Sequence, residues 1–113
     1  MKQLEYSILK YHSQQFDENI ILGILLSDKN NKQHNFYYIK NLEILLKYKK
    51  EINCDLVKKL LKSIKEETKD IDFDIHKFTK YYINDFYFEK IQIVNYNNWD
   101  NIKNKLLEYF KNH

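Results

Sequence analysis

Asp70, Asp72 and Asp74 stand at alternate positions. In an extended segment their three carboxylates would share one face, with about 6.6 Å between neighbours. Calcium loops open in this way, but they need glycine at the sixth position and a bidentate acid at the twelfth. Ile75 and Tyr81 occupy those places, so calcium chemistry is not indicated. What the row can do is electrostatic: it would imitate a phosphate backbone and dock on a protein that ordinarily grips nucleic acid. The plainer use of such a row is a solvated edge that discourages strand addition.

Lys58, Lys62, Lys65 and Lys69 form the second constellation. Helical spacing puts all four on one side of a helix, opposite the apolar stripe Leu56, Val57, Leu60, Leu61 and Ile64. Four amines in line could track phosphates. They are also what the solvent side of an amphipathic helix looks like in a lysine-rich chain, and that is the favoured reading.

Other chemistry lacks its parts. A phosphate-cradling loop needs several glycines, because only they let backbone N–H groups approach the oxygens closely. Gly23 is the one glycine and it lies in an apolar run, so Walker and Rossmann nucleotide sites are excluded. His12, His34, His76 and His113 show neither an i, i+4 pair nor a partnering cysteine pair, which leaves zinc unsupported. Each reads as a surface residue. Cys54, beside Asp55 at a predicted helix start, reads as a partly buried inert thiol. Ser7, His12 and Asp17 contain the groups of a hydrolytic triad, but nothing in their spacing brings them together. The expectation is a chain with no catalytic residue, no cofactor and no metal.

The elements that would position these residues follow from periodicity. Leu4, Tyr6 and Ile8 alternate with Glu5, Ser7 and Leu9, as in a strand with one face inward. Asn19–Ser27 is apolar on both faces, as a central strand should be. The stretch DKNNKQ, residues 28–33, supplies Asp and Asn for a tight turn into a third strand over His34–Ile39. Leu42, Ile44, Leu45, Leu46 and Tyr48 suggest a short helical segment, although Ile44–Leu46 also fits a strand. A helix capped by Asn53 and carrying Asp55 in its first turn runs to about Thr68. Residues 71–82 fit either strand or helix.

Phe86–Val94 reads as a fourth strand, with Tyr87, Glu89, Ile91 and Ile93 on one side and Phe86, Phe88, Lys90 and Gln92 on the other. A last helix begins near Asn98 and presents Trp99, Ile102, Leu106, Tyr109 and Phe110 on one face. The sum is an α+β fold: a small, mostly antiparallel sheet of about four strands against two or three helices, a single domain over residues 1–113.

Composition bounds the rest. The chain is 43 % hydrophobic and 16 % aromatic, enough for a packed core in 113 residues. The aromatic clusters Phe36–Tyr38 and Phe86–Phe88 are assigned to that core rather than to base stacking. A lone cysteine argues for a reducing, cytoplasmic compartment. The longest aliphatic run, Ile20–Leu26, is far short of the roughly 20 residues of a membrane-spanning helix. Lysine, asparagine, isoleucine and tyrosine abound, while arginine, alanine and proline are absent. That bias looks like an AT-rich bacterial, phage or mobile-element genome. It discounts each lysine and tyrosine as functional evidence, and the net charge of +3 is only mildly basic.

Tyr6-Ser7-Ile8-Leu9-Lys10-Tyr11, followed by Glu18 and then Ile20–Leu26 around Gly23, resembles the opening of the bacterial family called domain of unknown function 3037. Lys10 and Ile21 stand where members often have arginine and asparagine. The resemblance implies no catalytic residue; related members are thought to sit near kinase-like toxin genes, which implies a partner-binding role. The functional expectation is a non-catalytic, protein-binding regulator or inhibitor whose partner is a larger protein, in host defence, anti-CRISPR-like counter-defence or a toxin system. The alternative is a nucleic-acid binder using the lysine row. Membrane attachment is not expected.

Overall fold

The computed structural model describes residues 2–13, 18–28, 30, 32–39, 54–80 and 86–112. Strands β1 (Lys2–Ser13), β2 (Glu18–Asp28) and β3 (Gln33–Tyr38) are followed by helices α1 (Cys54–Glu67) and α2 (Ile75–Phe78). Strands β4 (Phe86–Phe88) and β5 (Gln92–Tyr96) and helix α3 (Trp99–Asn112) complete the order. The sheet runs β3-β2-β1-β4, with β5 also paired to β1, and every ladder is antiparallel. This is the α+β fold that the alternating strand patterns predict. The segment 42–48 and Tyr81–Tyr82 lie outside the described residues, as do Asn53, Asp17 and His113.

Helices cover both faces of the sheet. Val57, Leu61 and Ile64 of α1 and Ile75 of α2 pack on Leu9, Tyr11, Leu22, Leu25 and Phe36. Leu106 of α3 packs on Leu4, Ile8, Ile24, Leu26 and Tyr96, with Trp99 and Ile102 partly buried beside it. Side chains alternate along a strand, so these two cores lie on opposite faces. The expectation that β1 buries only one face is therefore corrected. Even Ser7 is fully buried, its Oγ donating to the carbonyl of Glu89 at 2.6 Å.

Two irregularities decide which residues meet. Leu9 pairs with Gly23 but Lys10 pairs with Ile21, leaving Leu22 as an extra residue in β2. Such a bulge reverses the alternation, and so Leu22 and Leu25 both face α1. A Cβ on Gly23 would lie 2.7 Å from Phe36 Cζ and 2.8 Å from the carbonyl oxygen of Tyr37. Glycine is required because the Phe36 ring covers the backbone there.

The second irregularity splits the expected fourth strand. Phe88 pairs with Leu9 and Gln92 with Tyr6, so Glu89, Lys90 and Ile91 face only Ser7 and Ile8. Phe86, Phe88 and Ile91 consequently pack in the same core, whereas unbroken alternation puts Ile91 opposite the two phenylalanines. The bulge is fastened by Ser7, by a bond from Glu89 N to the carbonyl of Ile8 (2.8 Å) and by the Lys10–Glu89 ion pair.

The start of α3 is as read: Asn98 Oδ1 accepts from Asn101 N at 3.1 Å and Asp100 sits in the first turn. Among the described residues of the β2–β3 turn, Lys32 takes a left-handed backbone, with φ 53°.

Candidate functional site

The aspartate row is not extended. After α1, the Thr68 hydroxyl donates back to the carbonyl of Lys65 (2.6 Å) and the amides of Lys69 and Asp70 donate to Glu66 and Glu67 (both 3.1 Å). Asp70 Oδ1 then accepts from Asp72 N (2.9 Å), and the Asp70 carbonyl accepts from Phe73 N (3.1 Å). Asp74, with extended backbone, caps α2 by accepting from His76 N at 2.9 Å. Aspartate side chains offer the backbone local partners that compete with a strand ladder. The same three residues whose alternation suggested a strand thus build a turn and a cap.

This folding gathers carboxylates and rings around one open groove of about 210 Å³. Glu67, Asp70, Asp72 and Asp74 line it together with Phe73, Phe78 and Lys77. The rings are anchored from behind. Phe73 contacts Phe78 (centroids 5.4 Å) and His34 (5.2 Å), and Phe78 contacts Phe88 (5.8 Å). Ile75, fully buried, pins the short helix beneath. The groove offers apolar ring surface bordered by net negative charge on a frame set by its own hydrogen bonds.

The four lysines are all exposed, yet they flank the apolar stripe instead of opposing it. The buried positions are Val57, Leu61, Ile64 and Thr68, and each lysine is one residue further on, about 100° around the helix. Leu56, placed in the stripe by spacing, is 61 % exposed. Lys65 Nζ lies 6.0 Å from the Tyr38 ring centroid, and Lys69 pairs with Glu66 at 3.1 Å. The structure therefore groups the aspartates with Glu67 on one surface and leaves the lysines as a separate row.

Three polar pairs escape a linear reading because their partners come from different elements of the fold. Ser27 Oγ lies 2.7 Å from His34 Nδ1 across the β2–β3 ladder. His76 of α2 meets Glu5 of β1, and Tyr96 donates to Asp28. His34 is only half-exposed, which corrects its reading as a surface residue. The ladders also align His34, Ser27, Glu5 and Ile93 in a row across the sheet. Direct cross-strand partners share a face, so strand register was the signal that could have found this row. A nucleophile must be reached by its substrate, and Ser27 is 1 % exposed. Its pairing with His34 acts as a hairpin fastener.

His12 shares a hydrogen bond with Asn19 (2.8 Å), and Cys54 is half-buried against the α1 core. Among the described residues, no group of three or more His, Cys, Asp or Glu is placed to hold a metal ion, and no helix is long and apolar enough to cross a membrane. The fold and site together define an antiparallel sheet sheathed by helices, with an acid-and-ring groove at the α1–α2 connection. No family model, no curated protein and no solved structure matches the chain.

Proposed function

We propose that this protein works by docking on another protein, through the groove at the α1–α2 connection. The observation that carries the reading is the placement of Phe73 and Phe78 beside four carboxylates on a self-bonded turn. Partly exposed rings supply the apolar contact area that dominates binding energy. The surrounding acids select a partner segment carrying lysine or arginine and steer its approach. The role is that of a regulator or inhibitor with no chemistry of its own. The compositional bias supports a bacterial, phage or mobile-element source, and hence a place in defence, counter-defence or a toxin system.

The test replaces Asp70, Asp72 and Asp74 together by asparagine. Asparagine keeps the Oδ1 acceptor of each turn and cap bond while removing the charge. Affinity capture from the native host, read by mass spectrometry, should yield a larger protein with the natural chain and lose it with the triple variant. Equal capture by both would overturn the groove as the docking surface. A second reading, nucleic-acid binding, is favoured by the exposed row Lys58, Lys62, Lys65 and Lys69.

A further inference from the structure

The groove at the α1–α2 connection has a volume of about 210 Å³. Sites for drug-sized ligands and cofactors run to roughly 300–1,000 Å³, so this one has room for the head of a single side chain. Its wall combines two chemistries. The rings of Phe73 and Phe78 form one part, and the carboxylates of Glu67, Asp70, Asp72 and Asp74 form the other, with Lys77 as the one ammonium among them. A group that answers both must be flat enough to lie on a ring and cationic enough to balance the excess of acid.

We infer that the groove is an arginine site, an inference that rests on its reading as a docking surface. The partner protein inserts one guanidinium group, which lies against the Phe73–Phe78 ring surface and donates from its edges to the surrounding carboxylates. A guanidinium is planar and weakly hydrated and carries five N–H donors in a rigid fork, so it stacks on aromatic surface and bonds carboxylates two bonds at a time. The ammonium of lysine is a compact, strongly hydrated point charge. It would answer the acids and leave the rings uncovered.

Much of the site is set before the partner arrives. The amides of Asp72 and His76 hold Asp70 and Asp74 through Oδ1, both at 2.9 Å. His34 and Phe88 brace the two rings from behind. Groups held in this way lose little freedom on binding, which lowers the entropic cost that a small contact otherwise carries. Residues 1–113 contain no arginine, so another copy of this domain cannot supply the guanidinium and a different protein must.

Heteronuclear NMR of the isotope-labelled full chain tests this by titration, at constant ionic strength, with three blocked tripeptides that carry arginine, lysine or citrulline between two glycines. The arginine peptide should shift the amides of Asp72 and His76, which bond groove carboxylates. It should bind at least about fivefold more tightly than the lysine peptide, and citrulline, of the same shape without the charge, should not bind. Asp72 is exposed, so Asp72→Asn should keep the fold while weakening both cationic peptides. Phe73→Leu, which keeps apolar bulk without the ring, should bring arginine down to the lysine affinity. No response to the arginine peptide, equal affinity for arginine and lysine in the natural chain, or a preference that survives Phe73→Leu would overturn the inference. Equal peptide affinities alongside a larger protein captured by the natural chain and lost with the triple asparagine variant would leave the docking surface standing and overturn the arginine site alone.

Discussion

The Tyr96 hydroxyl donates to the carboxylate of Asp28, and both residues are buried. This bond ties the end of β5, just ahead of the last helix, to the end of β2 at the β2–β3 turn, across 68 residues of sequence. Asp28 Oδ1 meanwhile accepts from Asn30 N at 3.0 Å and shapes the turn itself. A buried carboxylate that loses a donor bears the desolvation cost of the missing bond. Tyr96→Phe should therefore lower stability by about 1–3 kcal/mol, seen as a lower urea midpoint with an unchanged slope. An unshifted midpoint would show the bond to be dispensable.

Gly23→Ala should destabilise by about 1–3 kcal/mol, the usual range for overpacking a core. The new methyl group meets the fully buried Phe36 ring and a backbone carbonyl, and neither can move aside cheaply. Thermal unfolding followed by circular dichroism measures the loss.

Trp99→Ala should cost about 3 kcal/mol through lost packing. Trp99 meets Tyr96 edge to face at 5.9 Å between centroids and joins the core under α3. Ile71→Ser, by contrast, should stay within about 0.5 kcal/mol of the natural chain, because Ile71 is 83 % exposed. The pair of measurements separates the docked helix from the solvent-facing turn.

Most elements were legible in the sequence for a physical reason: long apolar periods dictate which face is buried. β1, β2, β3, α1 and α3 all carry such periods. The bulges were not legible, because one extra residue costs little locally yet reverses every side chain beyond it. Ile91 was thereby assigned to the wrong side of its strand, although Gly23 hinted at the other bulge. The aspartates illustrate a different failure. Alternation suggested an extended row, but Asp70 and Asp74 bond their own backbone, and this local preference outweighs a weak strand pattern. Glu67, Phe73 and Phe78 could join the site only through that turn.

Salt dependence distinguishes the two functional readings. If the four lysines contacted four phosphates, affinity for a duplex would fall roughly a hundredfold between about 50 and 200 mM salt. The docking account instead predicts no duplex binding at about 50 mM salt, measured by fluorescence anisotropy.

The most direct test of the groove is a photo-crosslinker at position 71, between two of the acids and free of core packing, compared with the same group at position 62 in the lysine row. Illumination in host extract should join position 71 to a larger protein and leave position 62 unreacted. An adduct formed only from position 62 would contradict the account.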